Sequence, residues 1–236
     1  MPNQDRSQLV SIVVPTLNEG RNIGAMLKGV REQLSGYRYE LIVVDGGRHG
    51  PSTDKTVEIA KRYGARILYD DKGKGSALIR GLNAAKGDVV VMMDADLSHE
   101  PKELKLLVDG INIGYDVCMG SRFIIGGGSE DMPALRVFGN KVFVTIVNIL
   151  FGSNYTDMCY GYRSFRKGVA QHLHLKELGF GIETEINIKA KKMGLKIMEV
   201  PSYEKKRAFG EGKLRSLSDG WLIFRTIIKN MGATKT

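Results

Sequence analysis

The chain has two cysteines in 236 residues, Cys118 and Cys159. Two thiols in apolar or mixed surroundings do not make a disulfide scaffold, and they read as reduced core residues. Four histidines are scattered, with no pair at the spacing of a zinc site. No stretch approaches the ~18 consecutive apolar residues of a membrane span. The opening MPNQDRSQLV lacks the charged-then-apolar layout of a signal peptide. A cytoplasmic location is therefore expected. Internal repeats, low-complexity tracts and linkers are missing too, which argues for one domain. So are the aromatic-interleaved basic strands or recognition helix of a nucleic-acid binder. That leaves a non-catalytic basic binding module as the weakest reading, and no nucleic-acid partner is expected.

Acidic residues are in deficit. Thirty-five Lys and Arg stand against 26 Asp and Glu, a formal charge of +9. Such a balance suits anionic partners: phosphorylated small molecules or an anionic membrane surface. The basic residues crowd into YEKKRAFGEGKLRS, 203–216, whereas acidic ones collect at strand ends in the first half.

That first half alternates. Strands are expected at 9–16, 39–45, 65–70 and 88–94, and helices at 19–34, 52–64, 75–87 and 100–111. Continuous apolar strands between amphipathic helices imply a mostly parallel central sheet covered on both faces, an α/β class. In the second half YDVCMGSRF (115–123) reads as a strand and IIGGGSEDMP (124–133) as a mobile glycine-rich loop. Helices are expected over 134–152 and in GIETEINIKAKKMG, and a strand in LKIMEVPSYE. Helix 134–152 carries Arg136, Asn140, Lys141, Thr145 and Asn148 on one side and a broad apolar face opposite. The tail, 216–231, places Leu217, Trp221, Phe224, Ile227, Ile228 and Met231 on one face at helical spacing.

Ligands of such sheets bind beyond the carboxyl ends of the strands. The residues there are Pro15-Thr16, Asp45, Asp70-Asp71 and Asp94-Ala95-Asp96, so four strand ends, three of them acidic, are expected on one rim. Two aspartates one residue apart can share a hard cation, Mg²⁺ or Mn²⁺, with phosphate oxygens. His99 is expected to serve as a hydrogen-bonding residue ahead of the next helix.

SIVVPTLNEGRNI, LIVVDGG, STDKT, GKGSALIRGLNAAKGD, MDADLSHEP, GSRF, CYGYRSF and EVPSYEKKR together resemble the family 2 glycosyltransferases of GT-A fold. More narrowly, they are similar to the branch of dolichyl-phosphate mannose synthases and related polyprenyl-phosphate sugar transferases. The likeness runs from about residue 9 to about residue 230. It implies a Rossmann-like single domain, with a nucleotide-sugar half over about 9–114 and an acceptor half over about 115–236. It also implies C-terminal amphipathic helices. Pro15, Thr16, Glu19, Asp45, Asp94 and Ala95 would belong to the donor pocket. Asp94 and Asp96 would hold the metal and the donor diphosphate. Many relatives carry Gln two positions after this pair, where Ser98 stands here, so a metal ligand through Ser98 is in question. Arg122, Arg136, Arg207 and Lys213 would face phosphates.

The expected reaction is an inverting transfer of a hexose from a GDP- or UDP-linked donor to a polyprenyl phosphate. The alternative is a sugar or other hydroxyl acceptor, which would need a carboxylate base. Glu185 is the first candidate and Glu183 the second. They sit two apart and cannot share a helix face. A second departure is the apparent insertion Arg48-His49-Gly50-Pro51, expected to alter donor choice, with Ser52 or Thr53 capping the next helix. A polyprenyl acceptor lives in the bilayer. Helices 134–152 and 216–231 are accordingly expected to lie on the inner membrane face, bound peripherally or with a membrane-protein partner.

Overall fold

The structure is a computed structural model that describes residues 8–130, 132–209 and 216–232. Its core is a seven-stranded sheet of order β3-β2-β1-β4-β7-β5-β8. β1 (Leu9–Thr16), β2 (Arg38–Asp45), β3 (Arg66–Tyr69) and β4 (Val89–Met92) run parallel, as do β5 (Val117–Ser121) and β8 (Ile197–Pro201). β7 (Arg163–Arg166) lies antiparallel between β4 and β5.

The strand interiors are buried on both sides, which is why they read as unbroken apolar runs. One layer packs Val10, Ile12, Val14, Leu41 and Val43 against Ile23, Met26, Leu27 and Val30 of α1 (Ile23–Gln33). It also takes in Leu104, Leu107, Val108 and Ile111 of α4 (Leu104–Asn112). The other layer sets Val13, Ile42, Val44 and Val90 against Ala77, Leu78 and Leu82 of α3 (Lys74–Ala84). It closes with Ile182, Ile186 and Ala190 of α7 (Ile182–Lys192). A third cluster joins α7 to α5 (Ala134–Phe151) and α8 (Ser216–Met231) through Val147, Tyr155, Ile188, Ile223 and Ile227.

Several boundaries differ from expectation. The helix expected at 52–64 begins only at Thr56, as α2 (Thr56–Arg62). Neither Ser52 nor Thr53 caps it. Asp54 accepts from the Thr56 N–H at 2.9 Å, from the Thr56 hydroxyl and from the Gly20 N–H at 2.8 Å. The glycine-rich segment after β5 is pinned rather than loose. Gly128–Ser129 forms β6, paired in parallel with Tyr203–Glu204 as β9. CYGYRSF supplies β7, and α6 (Val169–His172) follows.

α5 departs most from a soluble helix. Asn140 is buried, Asn148 bonds the Tyr155 carbonyl at 2.8 Å, and Arg136 turns inward. Leu135, Phe138, Val142, Ile149 and Leu150 are exposed. Although polar residues interrupt its apolar run, α5 is long and apolar enough to cross a membrane by length and composition. This corrects the expectation that no such segment exists. α8 keeps Ile223, Thr226, Ile227 and Asn230 buried and leaves Trp221, Phe224, Ile228 and Met231 uncovered. The spacing of three, four and three residues makes a stripe along the helix.

Candidate functional site at the strand-end rim

The carboxyl ends of β1, β2 and β4 open into a cleft of about 880 Å³. Register explains the convergence: β1 and β2 end together at Thr16 and Asp45, while β4 ends at Met92 opposite Val13 and its chain runs on through Met93, bonded to Val13, into Asp94. Pro15, Thr16, Glu19, Asp94, Ala95, Asp96 and Ser98 line the cleft.

Two of the three acidic strand ends do not reach it. Asp45 is fully buried, accepting from the Thr16 hydroxyl at 2.9 Å and from the Ser52 hydroxyl and N–H at 2.6 and 2.8 Å. It therefore ties the β2 loop to β1 rather than presenting oxygens to a ligand. Asp70 accepts from the Lys72 N–H and the Ser76 hydroxyl, a turn role. Between them the chain folds tightly. Gly46 sits at φ +127°, and a Cβ there would lie 2.3 Å from the Asp70 carbonyl oxygen. The apparent insertion closes on itself through paired Gly47 and Gly50 bonds of 3.0 and 2.9 Å. Its tip, Arg48-His49, is exposed and lines the cleft.

Asp94 and Asp96 both face the cleft, each beside a cation. Lys74 Nζ lies 3.0 Å from the Asp94 carboxylate and 3.2 Å from Glu183 Oε1. Arg207 Nη2 lies 2.6 Å from Asp96 Oδ2, and its Nη1 3.5 Å from Glu19 Oε1. Burial alone would raise the Asp94 carboxyl, but the Lys74 ammonium outweighs it and holds the group below its usual range. Burial likewise opposes the charge on Lys74, yet Asp94 and Glu183 together push its ammonium up. His99 stacks flat on Tyr162 at 4.9 Å, and its Nδ1 accepts the Asp94 N–H at 3.0 Å. Burial lowers its imidazole below the ordinary value, with Asp94 and Asp96 only partly opposing. The neutral ring, protonated on Nε2, thus fixes the backbone of Asp94 as the sequence reading anticipated.

Lys74 is the residue that sequence reasoning missed. Its place between two glycines at a strand-to-helix turn was the available signal. Gly75 permits the arrangement: a Cβ there would stand 2.4 Å from the Glu177 carbonyl oxygen, so α3 can start against the 177–179 loop.

The two glutamates separate cleanly. Glu183 lines the cleft with 5% of its side chain exposed. Glu185, preferred from sequence, is not in the lining. It is buried, accepts the Lys176 and Glu177 N–H groups at 2.8 and 2.7 Å, and pairs with Lys189 at 2.7 Å. Residues two apart on a helix point about 200° apart, so only one could face the cleft.

Arg122 lines the cleft, but its fork grips Asp157 through Nε at 2.7 Å and Nη2 at 2.9 Å, and Nη1 holds Glu204 at 3.0 Å. Its guanidinium also lies over the Tyr160 ring at 4.7 Å. With these donors taken, Arg122 joins the β5 end to the Asp157 loop and β9 before it serves any ligand. Arg136 lines the cleft from the first turn of α5. Lys213 lies outside the described residues.

The Ser98 hydroxyl donates to Asp96 Oδ1 at 2.6 Å, so it props the carboxylate rather than presenting a free ligand oxygen. Among the described residues, no group of three or more His, Cys, Asp and Glu could hold a metal ion alone. Two cleft carboxylates in an open site fit a different arrangement. A hard divalent ion would take Asp94 and Asp96 and complete its shell with phosphate oxygens and water. Asp96 Oδ2 is available to such an ion only when Arg207 releases it.

The second half of the chain also lines the cleft with apolar side chains. Leu135, Phe138 and Phe143 of α5, Leu178 and Phe180 of the loop before α7, and Leu222 of α8 form an apolar trough.

A family model described as glycosyl transferase family 2 matches residues 11–173. The chain is 36% identical, over 87% of its length, to a dolichol-phosphate mannosyltransferase of Pyrococcus furiosus, and spans 59% of that protein. It is 34% identical to a dolichyl-phosphate hexose transferase of Haloferax volcanii, covering 93% of this chain and 92% of the relative. Glucosyl-3-phosphoglycerate synthase of Mycobacterium tuberculosis, solved with Mn²⁺, UDP and phosphoglyceric acid, superposes with a TM-score of 0.73 at 23% identity. The match covers 97% of this chain and 80% of that one, a likeness of fold. The matched stretch begins in β1 and takes in the aspartate pair, β7 and α6, and on that ground the chain belongs to glycosyl transferase family 2 and is a glycosyltransferase of GT-A fold.

Proposed function

We propose that the protein transfers a hexose from a nucleoside-diphosphate sugar to a polyprenyl phosphate, with inversion at the anomeric carbon, at a membrane surface. The carrying observation is the composition of the cleft. One cleft is lined both by the charged Asp94, Asp96, Lys74 and Arg207 and by the apolar residues of α5, α8 and the 178–180 loop. A small sugar acceptor has no use for such a trough, whereas an isoprenoid chain would bury there at roughly 25 cal/mol per Å². The names of the Pyrococcus and Haloferax relatives support the same acceptor class. The manganese and UDP in the Mycobacterium structure support a nucleotide donor with a divalent ion.

An acceptor phosphate oxygen would form the bond to the anomeric carbon as the bond to the diphosphate breaks, releasing the nucleoside diphosphate. A divalent ion on Asp94 and Asp96, Mg²⁺ or Mn²⁺, supplies the charge that stabilises the leaving diphosphate. The strand-end backbone orients the aspartates, with His99 anchoring Asp94 and Ser98 anchoring Asp96. Glu19 and Asp96 position Arg207 at the same end. A phosphate monoester is anionic near neutral pH, so no strong general base is required.

The test is direct. Purified protein with Mn²⁺ and labelled GDP-mannose or UDP-glucose is expected to label a polyprenyl phosphate and leave free monosaccharides unlabelled. Transfer confined to sugar hydroxyls would overturn the reading and return Glu183 to the role of base.

Membrane attachment rests on the uncovered apolar residues of α5 and α8. Ile149 and Trp221 are 76% and 67% exposed, and neither lines the cleft. In flotation with phosphatidylcholine–phosphatidylglycerol vesicles, the wild type is expected to float. The double substitution Ile149→Glu, Trp221→Glu should remain in the pellet while binding nucleotide with unchanged affinity. Equal flotation of both proteins would count against a lipid-facing surface.

A further inference from the structure

Lys74 stands where the two characters of the cleft meet. Its Nζ touches Asp94 on the strand-end side and Glu183 on the α7 side, and lies 5.9 Å from the centre of the Phe180 ring in the trough. Its side chain keeps 21% of its surface, and it is part of the cleft lining. An ammonium carries three N–H donors. Both Asp94 oxygens, each at 3.0 Å, and Glu183 Oε1 at 3.2 Å take them up, so donors come free when Asp94 turns away.

Arg122 carries the opposite pattern. Its Nε and both terminal nitrogens already bond Asp157 and Glu204. Arg207 sits across the cleft, against Asp96 and Glu19. Lys74 is thus the cleft cation that bridges Asp94 and Glu183 and approaches the Phe180 ring.

We infer that Lys74 receives the phosphate of the acceptor, holding the attacking oxygen between the Asp94 end and the apolar trough. This rests on the proposed phosphate acceptor. Asp94 would turn toward the metal-bound donor, leaving Lys74 to Glu183 and the incoming phosphate. The sugar-transfer step itself is unchanged, and Lys74 neither gives nor takes a proton.

The experiment compares wild type, Lys74→Gln and Lys74→Arg. Farnesyl phosphate and farnesol are titrated calorimetrically with Mn²⁺ and a nucleoside diphosphate present, and steady-state constants for donor and acceptor are then measured with Mn²⁺. Loss of one charge-assisted bond predicts about 30-fold weaker farnesyl phosphate binding in Lys74→Gln. Farnesol binding should be unaltered, the acceptor KM should rise by a similar factor, and the donor KM should stay within about threefold. Lys74→Arg should recover part of the loss. A rise in donor KM with the acceptor unaffected would assign Lys74 to the leaving diphosphate and overturn the inference. So would variants that lose only thermal stability. If the wild type itself neither binds nor glycosylates farnesyl phosphate, the acceptor reading falls and Lys74 with it. If the wild type does both and Lys74→Gln matches it, only Lys74 falls.

Discussion

Asp96→Asn is expected to lower sugar transfer by about a thousandfold, because electrostatic stabilisation of a leaving diphosphate by a bound ion contributes several kcal/mol. The asparagine keeps an oxygen to accept the Ser98 N–H and hydroxyl, now at 3.0 and 2.6 Å, so the turn should survive. What disappears is the charge that Arg207 pairs with at 2.6 Å and that a divalent ion would share. The same variant should therefore lose the extra thermal stabilisation that Mn²⁺ gives to a nucleoside diphosphate complex, an effect of mass action on the folded state. Undiminished turnover in Asp96→Asn would remove the metal from the reaction.

The second large effect concerns stability. Arg163 opens β7 and is fully buried. Its Nη2 donates to the Tyr160 carbonyl at 2.7 Å, and its Nη1 donates to Asn187 Oδ1 at 2.5 Å and the Glu183 carbonyl at 3.2 Å. Burial lowers its affinity for the proton, with Glu183 and Asp157 opposing. Arg163→Leu leaves three buried acceptors unpaired at roughly 1–3 kcal/mol each, partly relieved by relaxation. A loss of about 3–5 kcal/mol is expected in urea unfolding. On the same strand, Arg166 is exposed, and Arg166→Leu should shift stability by less than about 0.5 kcal/mol. Equal effects of the two substitutions would mean that the buried network contributes nothing particular.

The alternation of strands and helices was legible because β1, β2 and β4 are buried along most of their length while α1, α3 and α4 bury one face. β1 matches its expected limits of 9–16, and α5 and α8 fall within a residue of theirs. β7 was not legible. RSFR is four residues long, carries two arginines, and gains its strand character only from the neighbours on either side. Of the rim, Asp94 and Asp96 could be read from position alone. Asp45 and Asp70 could not be sorted from them, since only the fold shows that Ser52 and Ser76 take up their oxygens. Glu183 and Glu185 were indistinguishable for a similar reason: helix phase relative to the cleft is set by packing against α8 and α5 and by the Lys176 and Glu177 backbone that holds Glu185. Arg122 looked like a phosphate ligand until Asp157 and Glu204, distant in sequence, were seen to hold it.

The antiparallel strand in the middle of the sheet bears on how the chain can be cut. β4 and β5 never touch as neighbours, because β7 is hydrogen-bonded to both. A fragment ending near residue 114 would carry β4 with a raw, unpaired border, open to self-association with other copies. The reciprocal fragment would keep β5 but lack β4, one of the two strands that order RSFR. The first four strands and the β5–β8 pair are thus stitched by one short segment, and recombining them among relatives would require exchanging that stitch together with its two flanking partners.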